Sequence, residues 1–201
     1  MNIKKITEGP MMANCYVVYD ENKNGFLIDP VYPGGKIENY IDKNKINIEF
    51  ILLTHTHFDH VLGLEYFKNK LNVKVYASDD SKNIANDPDY NLSRGYCNIN
   101  VEIDSYLKDG EVFSPFKIKA IKTSGHSLDS MSYKIEDDIF SGDTLFNLSI
   151  GRSDFPGGNF NTLINSIKNK IFIYDEKTKI HPGHGQSSNI GFEKENNPFL
   201  N

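Results

Sequence analysis

The chain has 201 residues with 22 basic and 27 acidic side chains, a formal net charge of −5. That length suits one compact domain with a substantial core, and without a dense Lys/Arg stretch nucleic acid is not an expected partner, whereas a small-molecule substrate is. Polar residues and Pro10 interrupt the opening segment MNIKKITEGPMMANCYVVYD before an export signal's apolar run of roughly seven residues can form. No run of about 18 apolar residues offers a membrane span, so the expected location is the cytoplasm, away from membranes.

Short strands are expected at Cys15–Tyr19 and Phe26–Asp29, joined through the turn residues 21–25 as an antiparallel meander. After Pro33-Gly34-Gly35, the spacing of Ile37, Tyr40 and Ile41 predicts a helix over 36–44, and the apolar run Ile48–Thr54 reads as a central strand covered on both faces. Val61, Leu64 and Phe67 predict a helix over 60–69, followed by a strand at Val73–Ala77 and a helix starting at Asp79 or Asp80. Residues 87–109 show no steady period and form the first candidate for a substrate-facing wall.

Strands are then expected within Gly110–Thr123, at Ser130–Ile135, at Asp138–Ser141 and at Lys179–His181, with a helix over 160–170. The order suits two mixed sheets with helices outside. Cys15, inside the apolar run CYVVY, and Cys97 are read as packing residues rather than a disulfide or metal ligands.

The chemistry concentrates in Thr54-His55-Thr56-His57-Phe58-Asp59-His60, directly after the apolar strand. In an extended chain His55, His57 and Asp59 project to one side, and a helix starting near Asp59 swings His60 round, so one loop can feed two adjacent metal centres. Imidazoles and carboxylates crowded beside an apolar strand need a partner, and a metal ion supplies one. Three later candidates, His126, Asp143 and His184, each follow a glycine at a strand-to-loop junction, where the backbone can turn sharply towards an ion. Zinc, iron or manganese suits such a set. His181 is separated from His184 by Pro182 and Gly183, which disfavour a helix, and is read as structural. Asp29 is read equally as a group orienting a ligand histidine and as a turn cap.

In order, His55, His57, Asp59 and His60 match the His-x-His-x-Asp-His signature of the metallo-β-lactamase superfamily, which the chain resembles along nearly its whole length, Asn14-Cys15-Tyr16 and Phe26-Leu27-Ile28-Asp29-Pro30 included. The resemblance implies a four-layer αβ/βα sandwich. It also implies two divalent ions, zinc first: His55, His57 and His126 hold one, Asp59, His60 and His184 the other, and Asp143 bridges them. Asp59 is the candidate catalytic residue.

Within the superfamily, Ser141-Gly142-Asp143-Thr144-Leu145-Phe146, Gly151-Arg152-Ser153-Asp154-Phe155-Pro156-Gly157-Gly158 and Asn197-Pro198-Phe199-Leu200 resemble short glyoxalase II-like hydrolases, implying hydrolysis of a thioester such as a hydroxyacyl-thiol. The sequence departs from that pattern at Gly125-His126-Ser127-Leu128-Asp129, where Gly-His-Thr-Pro-Gly is usual, and leaves little chain after His184 for a further helical domain. A second reading is a persulfide dioxygenase-like oxidoreductase holding one iron through His55, His126 and Asp143. Secreted β-lactamases fit less well, lacking a match in the export signal and in the role given to Asp143. Arg152 is expected to pair with Asp154 inside the protein and so fix its loop, the alternative being to bind an anionic end of the substrate.

Overall fold

The computed structural model describes residues 1–200, which divide into two compact units. The first comprises Met1–Ala77 and Lys82–Tyr106, the second Ser78–Ser81 and the described residues from Leu107 onward.

The first unit is built on a six-stranded sheet in the order β1 (Asn2–Glu8), β2 (Ala13–Tyr19), β3 (Asn24–Ile28), β4 (Asn47–Leu52), β5 (Lys74–Ser78) and β6 (Ser105–Leu107). The expected meander is present, β1 to β3 pairing antiparallel, and β4 lies parallel between β3 and β5. Every residue of β2 is buried, so its alternating faces are both covered. One face carries Cys15, Val17, Leu27, Ile51 and Val75 into a core with Ile37 and Ile41 of helix α1 (Gly35–Asn44) and Leu64 and Phe67 of α3 (Leu64–Leu71). The other carries Phe26, stacked on Phe50 at 5.0 Å, with Phe50 edge-on to Tyr76 at 5.8 Å. Each fully buried side chain among these, such as Phe26, Leu27 and Ile51, stabilises the fold by about 1.5–3 kcal/mol relative to exposure.

The expected helix over 60–69 is instead two, α2 (Phe58–Val61) and α3. Gly63 explains the break: its N–H donates to Pro30 O at 2.7 Å, and a Cβ there would lie 2.6 Å from Tyr32 O and 2.7 Å from Pro30 O. Segment 87–109 is largely irregular, as expected, but β6 closes its end. Residues Asp79–Asn83 form a 3₁₀ turn rather than an α-helix.

The second unit carries a sheet in the order β14 (Ser188–Asn189), β13 (Lys179–Pro182), β10 (Asp138–Gly142), β9 (Met131–Ile135), β8 (Ile118–Lys122) and β7 (Val112–Phe113), plus the hairpin β11–β12 (Leu145–Phe146 and Ser149–Ile150). The expected helix over 160–170 is α4 (Phe160–Ser166) followed by a wider π turn, Ile167–Ile171. Leu163, Ile167 and Ile171 pack with Ile139, Ile180 and Ile190, the last of these opening α5 (Ile190–Asn196). The closing Asn197-Pro198-Phe199-Leu200 folds back: the Asn197 amide donates to Ser149 O at 3.0 Å and to Glu193 Oε2 at 2.8 Å, and Leu200 enters this core.

Both cysteines are free. Burial, and then the nearby Asp29 and Glu8 charges, push the Cys15 thiol well above its ordinary range, which suits packing rather than ligation. Among the described residues no helix is long and apolar enough to cross a membrane.

Candidate metal centre

In the first unit the ligand loop leaves β4 and enters α2 within a few residues. Asp29, 1% exposed at the end of β3, anchors its start by accepting from Thr54 N at 2.8 Å and Thr54 Oγ1 at 2.6 Å. His55, His57 and His60 are buried, and the His55 ring centroid lies 4.6 Å from that of His57 and 4.2 Å from that of His60. Asp59 closes on His60, Oδ2 to Nε2 3.8 Å. The extended stretch followed by a helical turn thus gathers all four side chains, the helix beginning at Phe58.

The second unit brings its three candidates together on one carboxylate. Asp143 Oδ2 stands 3.6 Å from Nε2 of His126 and 3.6 Å from Nε2 of His184. Gly183 N donates to Gly142 O at 2.8 Å, pinning the His184 loop to the Asp143 loop. Gly125, at φ 139°, lets the His126 loop lie against α4, where a Cβ would fall 2.4 Å from Leu163 N and Cα.

The tautomers follow from what stands behind each ring. His126 Nδ1 lies 2.6 Å from Arg152 O, and a carbonyl only accepts, so Nδ1 carries a proton, and in the neutral ring Nε2 keeps its lone pair on the side of Asp143. His60 repeats the arrangement: Nδ1 donates to Asp29 Oδ2 at 2.9 Å, leaving the Nε2 lone pair facing Asp59. In both places a lone pair meets a carboxylate beyond hydrogen-bond distance. A cation is the group that reconciles two such donors, and the backward hydrogen bond is the device that fixes metal-binding histidines. The donor set of imidazoles and carboxylates therefore fits divalent metal ions. Asp29 thus backs the His60 ring and ties down the start of the loop as well.

His181 stands apart from these clusters in a pair of its own: its Nε2 lies 2.6 Å from Asp138 Oδ1 and its ring stacks on Phe140 at 4.9 Å. Arg152 forks onto Asp154, Nε to Oδ1 3.0 Å and Nη2 to Oδ2 2.8 Å, but both side chains are about two-thirds exposed, so the pair lies on the surface rather than inside. What Arg152 contributes to the site is its carbonyl, which nothing in its side-chain type signals. Sequence reasoning also passed over Asp129, 1% exposed, which accepts from Ser127 Oγ at 2.7 Å and Ser81 Oγ at 2.9 Å and so braces the loop just after His126.

Groups of imidazoles and carboxylates that could hold metal ions, set at strand ends of mixed sheets, define a class, the metal-dependent enzymes of the metallo-β-lactamase fold. The chain belongs to the metallo-β-lactamase superfamily, whose family model matches residues 9–187. Over 208 residues it is 36% identical to the probable metallo-hydrolase YqgX of Bacillus subtilis, covering 100% of this chain and 98% of that one. It is 32% identical to the hydroxyacylglutathione hydrolase GloC of Haemophilus influenzae over 210 residues, covering 100% and 99%. Among solved structures it resembles the BLEG-1 B3 metallo-β-lactamase with a TM-score of 0.94 at 33% identity, covering 99% of each chain. The superfamily consists mostly of metal-dependent hydrolases.

Proposed function

We propose that the chain is a cytoplasmic, dinuclear metal-dependent hydrolase that cleaves a small thioester, of the hydroxyacylglutathione hydrolase type, its two units acting as one catalytic domain. In this reading His55, His57 and His126 would hold one ion, Asp59, His60 and His184 would hold the second, and Asp143 would be shared between them. The observation that carries it is the repeated backing hydrogen bond, His60 Nδ1 to Asp29 and His126 Nδ1 to the Arg152 carbonyl, behind rings whose Nε2 atoms face Asp59 and Asp143.

Two divalent ions supply Lewis acidity and lower the pKa of bound water at neutral pH. Zinc is the first expectation, and iron or manganese accepts the same donors. The chain's own part is to hold the imidazoles by Asp29 and the Arg152 carbonyl, and to take a proton from the attacking water at Asp59, whose side chain keeps 13% exposure. Likeness to GloC supports the thioester.

Likeness to BLEG-1 favours a β-lactam as the second reading. A single-iron persulfide oxidoreductase leaves the pairing of Asp59 with His60 without a use. The test is to assay zinc-loaded and iron-loaded protein for hydrolysis of S-lactoylglutathione, opening of a chromogenic cephalosporin, and oxygen uptake with glutathione persulfide. Thioester turnover exceeding the other two is expected. Cephalosporin opening alone, or iron-dependent oxygen uptake alone, would replace the thioesterase reading.

A further inference from the structure

Segment 84–101 is a built loop rather than a loose one. Asn86 and Val101 exchange two hydrogen bonds, Val101 N to Asn86 Oδ1 at 2.7 Å and Asn86 Nδ2 to Val101 O at 3.2 Å. Inside that closure Asn91, 1% exposed, donates through its amide to Ala85 O at 2.9 Å and accepts from Ser93 N at 2.9 Å. A tight turn follows, with Tyr96 N bonded to Ser93 O at 2.9 Å.

This loop is fastened to the ligand motif twice. Asn91 O accepts from Phe58 N at 2.8 Å, satisfying one of the N–H groups that the start of α2 leaves open. Tyr96 then stacks on Phe58, with ring centroids 5.3 Å apart and planes within 11°. Phe58 is the residue between His57 and Asp59 and is only 9% exposed, whereas Tyr96 is 77% exposed. One face of Tyr96 rests on the ligand loop, and the rest of the ring is offered to solvent by a hydrogen-bonded scaffold.

Scattered exposed aromatics need no explanation. This one differs because its position is fixed and its stacking partner belongs to the metal-binding motif. We infer that Tyr96, backed by Phe58, is a specificity-determining residue that stacks against a flat aromatic or hydrocarbon portion of the substrate. The inference rests on the thioesterase reading and deepens it. Such a contact forms equally before and during the reaction, so it lowers KM and leaves kcat alone.

The test compares wild type, Tyr96→Ala and Tyr96→Phe on three thioesters: S-lactoylglutathione, which has no ring; S-mandeloylglutathione, with a ring on the acyl side; and the lactoyl thioester of benzyl mercaptan, with a ring on the thiol side. Tyr96→Ala is expected to raise KM for one of the ring-bearing esters about two- to ten-fold, with kcat, metal content and the KM of S-lactoylglutathione within a factor of about two. Which ester responds tells which end of the substrate lies on the ring, and Tyr96→Phe keeps the wild-type value. An equal shift on all three esters, or no shift, would overturn the inference. Should wild type hydrolyse none of them, the thioesterase reading fails by itself. Calorimetric binding of the intact esters then decides the Tyr96 question: weaker binding of a ring-bearing ester to Tyr96→Ala supports it, and equal or undetectable binding overturns it.

Discussion

Replacing Asp29 with Asn changes almost no volume but reverses one hydrogen bond. The native carboxylate accepts from Thr54 N, from Thr54 Oγ1 and from His60 Nδ1, at 2.8, 2.6 and 2.9 Å. An amide keeps one acceptor for Thr54 N and turns its NH2 towards the other two. Thr54 Oγ1 can rotate to accept while bonding His55 Nδ1, 3.0 Å away. His60 has no such freedom. Its Nδ1 must become the acceptor, which moves the ring proton to Nε2, the atom that faces Asp59 and would bind metal. Losing a charge-assisted bond in a buried site costs about 1.5–3 kcal/mol, and a broken support behind a ligand histidine costs about 10- to 100-fold in metal affinity. For a chain of this size that is about 3 °C in Tm per kcal/mol. Chelator competition reads the affinity, and long-range proton–nitrogen NMR of the imidazoles reads the tautomer. Unchanged affinity with the proton still on Nδ1 would refute the reasoning.

Asp143→Ala removes the carboxylate shared by His126 and His184, so metal measured by elemental analysis should fall from about two ions per chain towards one or none. Gly125→Ala places a Cβ against the Leu163 backbone at 2.4 Å from a strained φ of 139°; thermal unfolding should show a loss of about 2–4 kcal/mol, and activity should fall as the His126 loop shifts. Burial pushes the Asp138 carboxyl up, but the hydrogen bond and charge of His181 outweigh it and hold it below the usual carboxylate range. A depressed carboxylate contributes stability above its unfolded pKa and loses it as pH falls through the folded value. Asp138→Asn should therefore melt below wild type at pH 7, with the gap closing in acid; a gap that widens in acid would reverse the sign.

Much of the site was legible because its chemistry is local. His55, His57, Asp59 and His60 lie within one short stretch after a strand, and strand alternation plus one helical turn is enough to bring them together. His126, Asp143 and His184 were legible as glycine-preceded residues at strand ends. What holds these candidates was legible only in part: Asp29 reads equally as an orienting group and as a turn cap because it and His60 are 31 positions apart, and the group behind His126 is a backbone carbonyl. Strand β1 escaped notice because it carries Lys4 and Lys5 at the sheet edge and buries only Ile6, leaving a faint alternation. Helix α5 was missed for a similar reason, having seven residues with only Ile190 and Glu193 buried. The break at Gly63 depends on two carbonyls from a distant turn, which no local pattern reports.

The most direct test of the central claim is a metal titration of metal-free protein, reading S-lactoylglutathione hydrolysis at each addition of zinc. Activity that rises and saturates at about two equivalents per chain is the result predicted by a dinuclear thioesterase. Turnover complete at one equivalent would contradict the second ion, and no turnover at any level of metal would contradict the thioester.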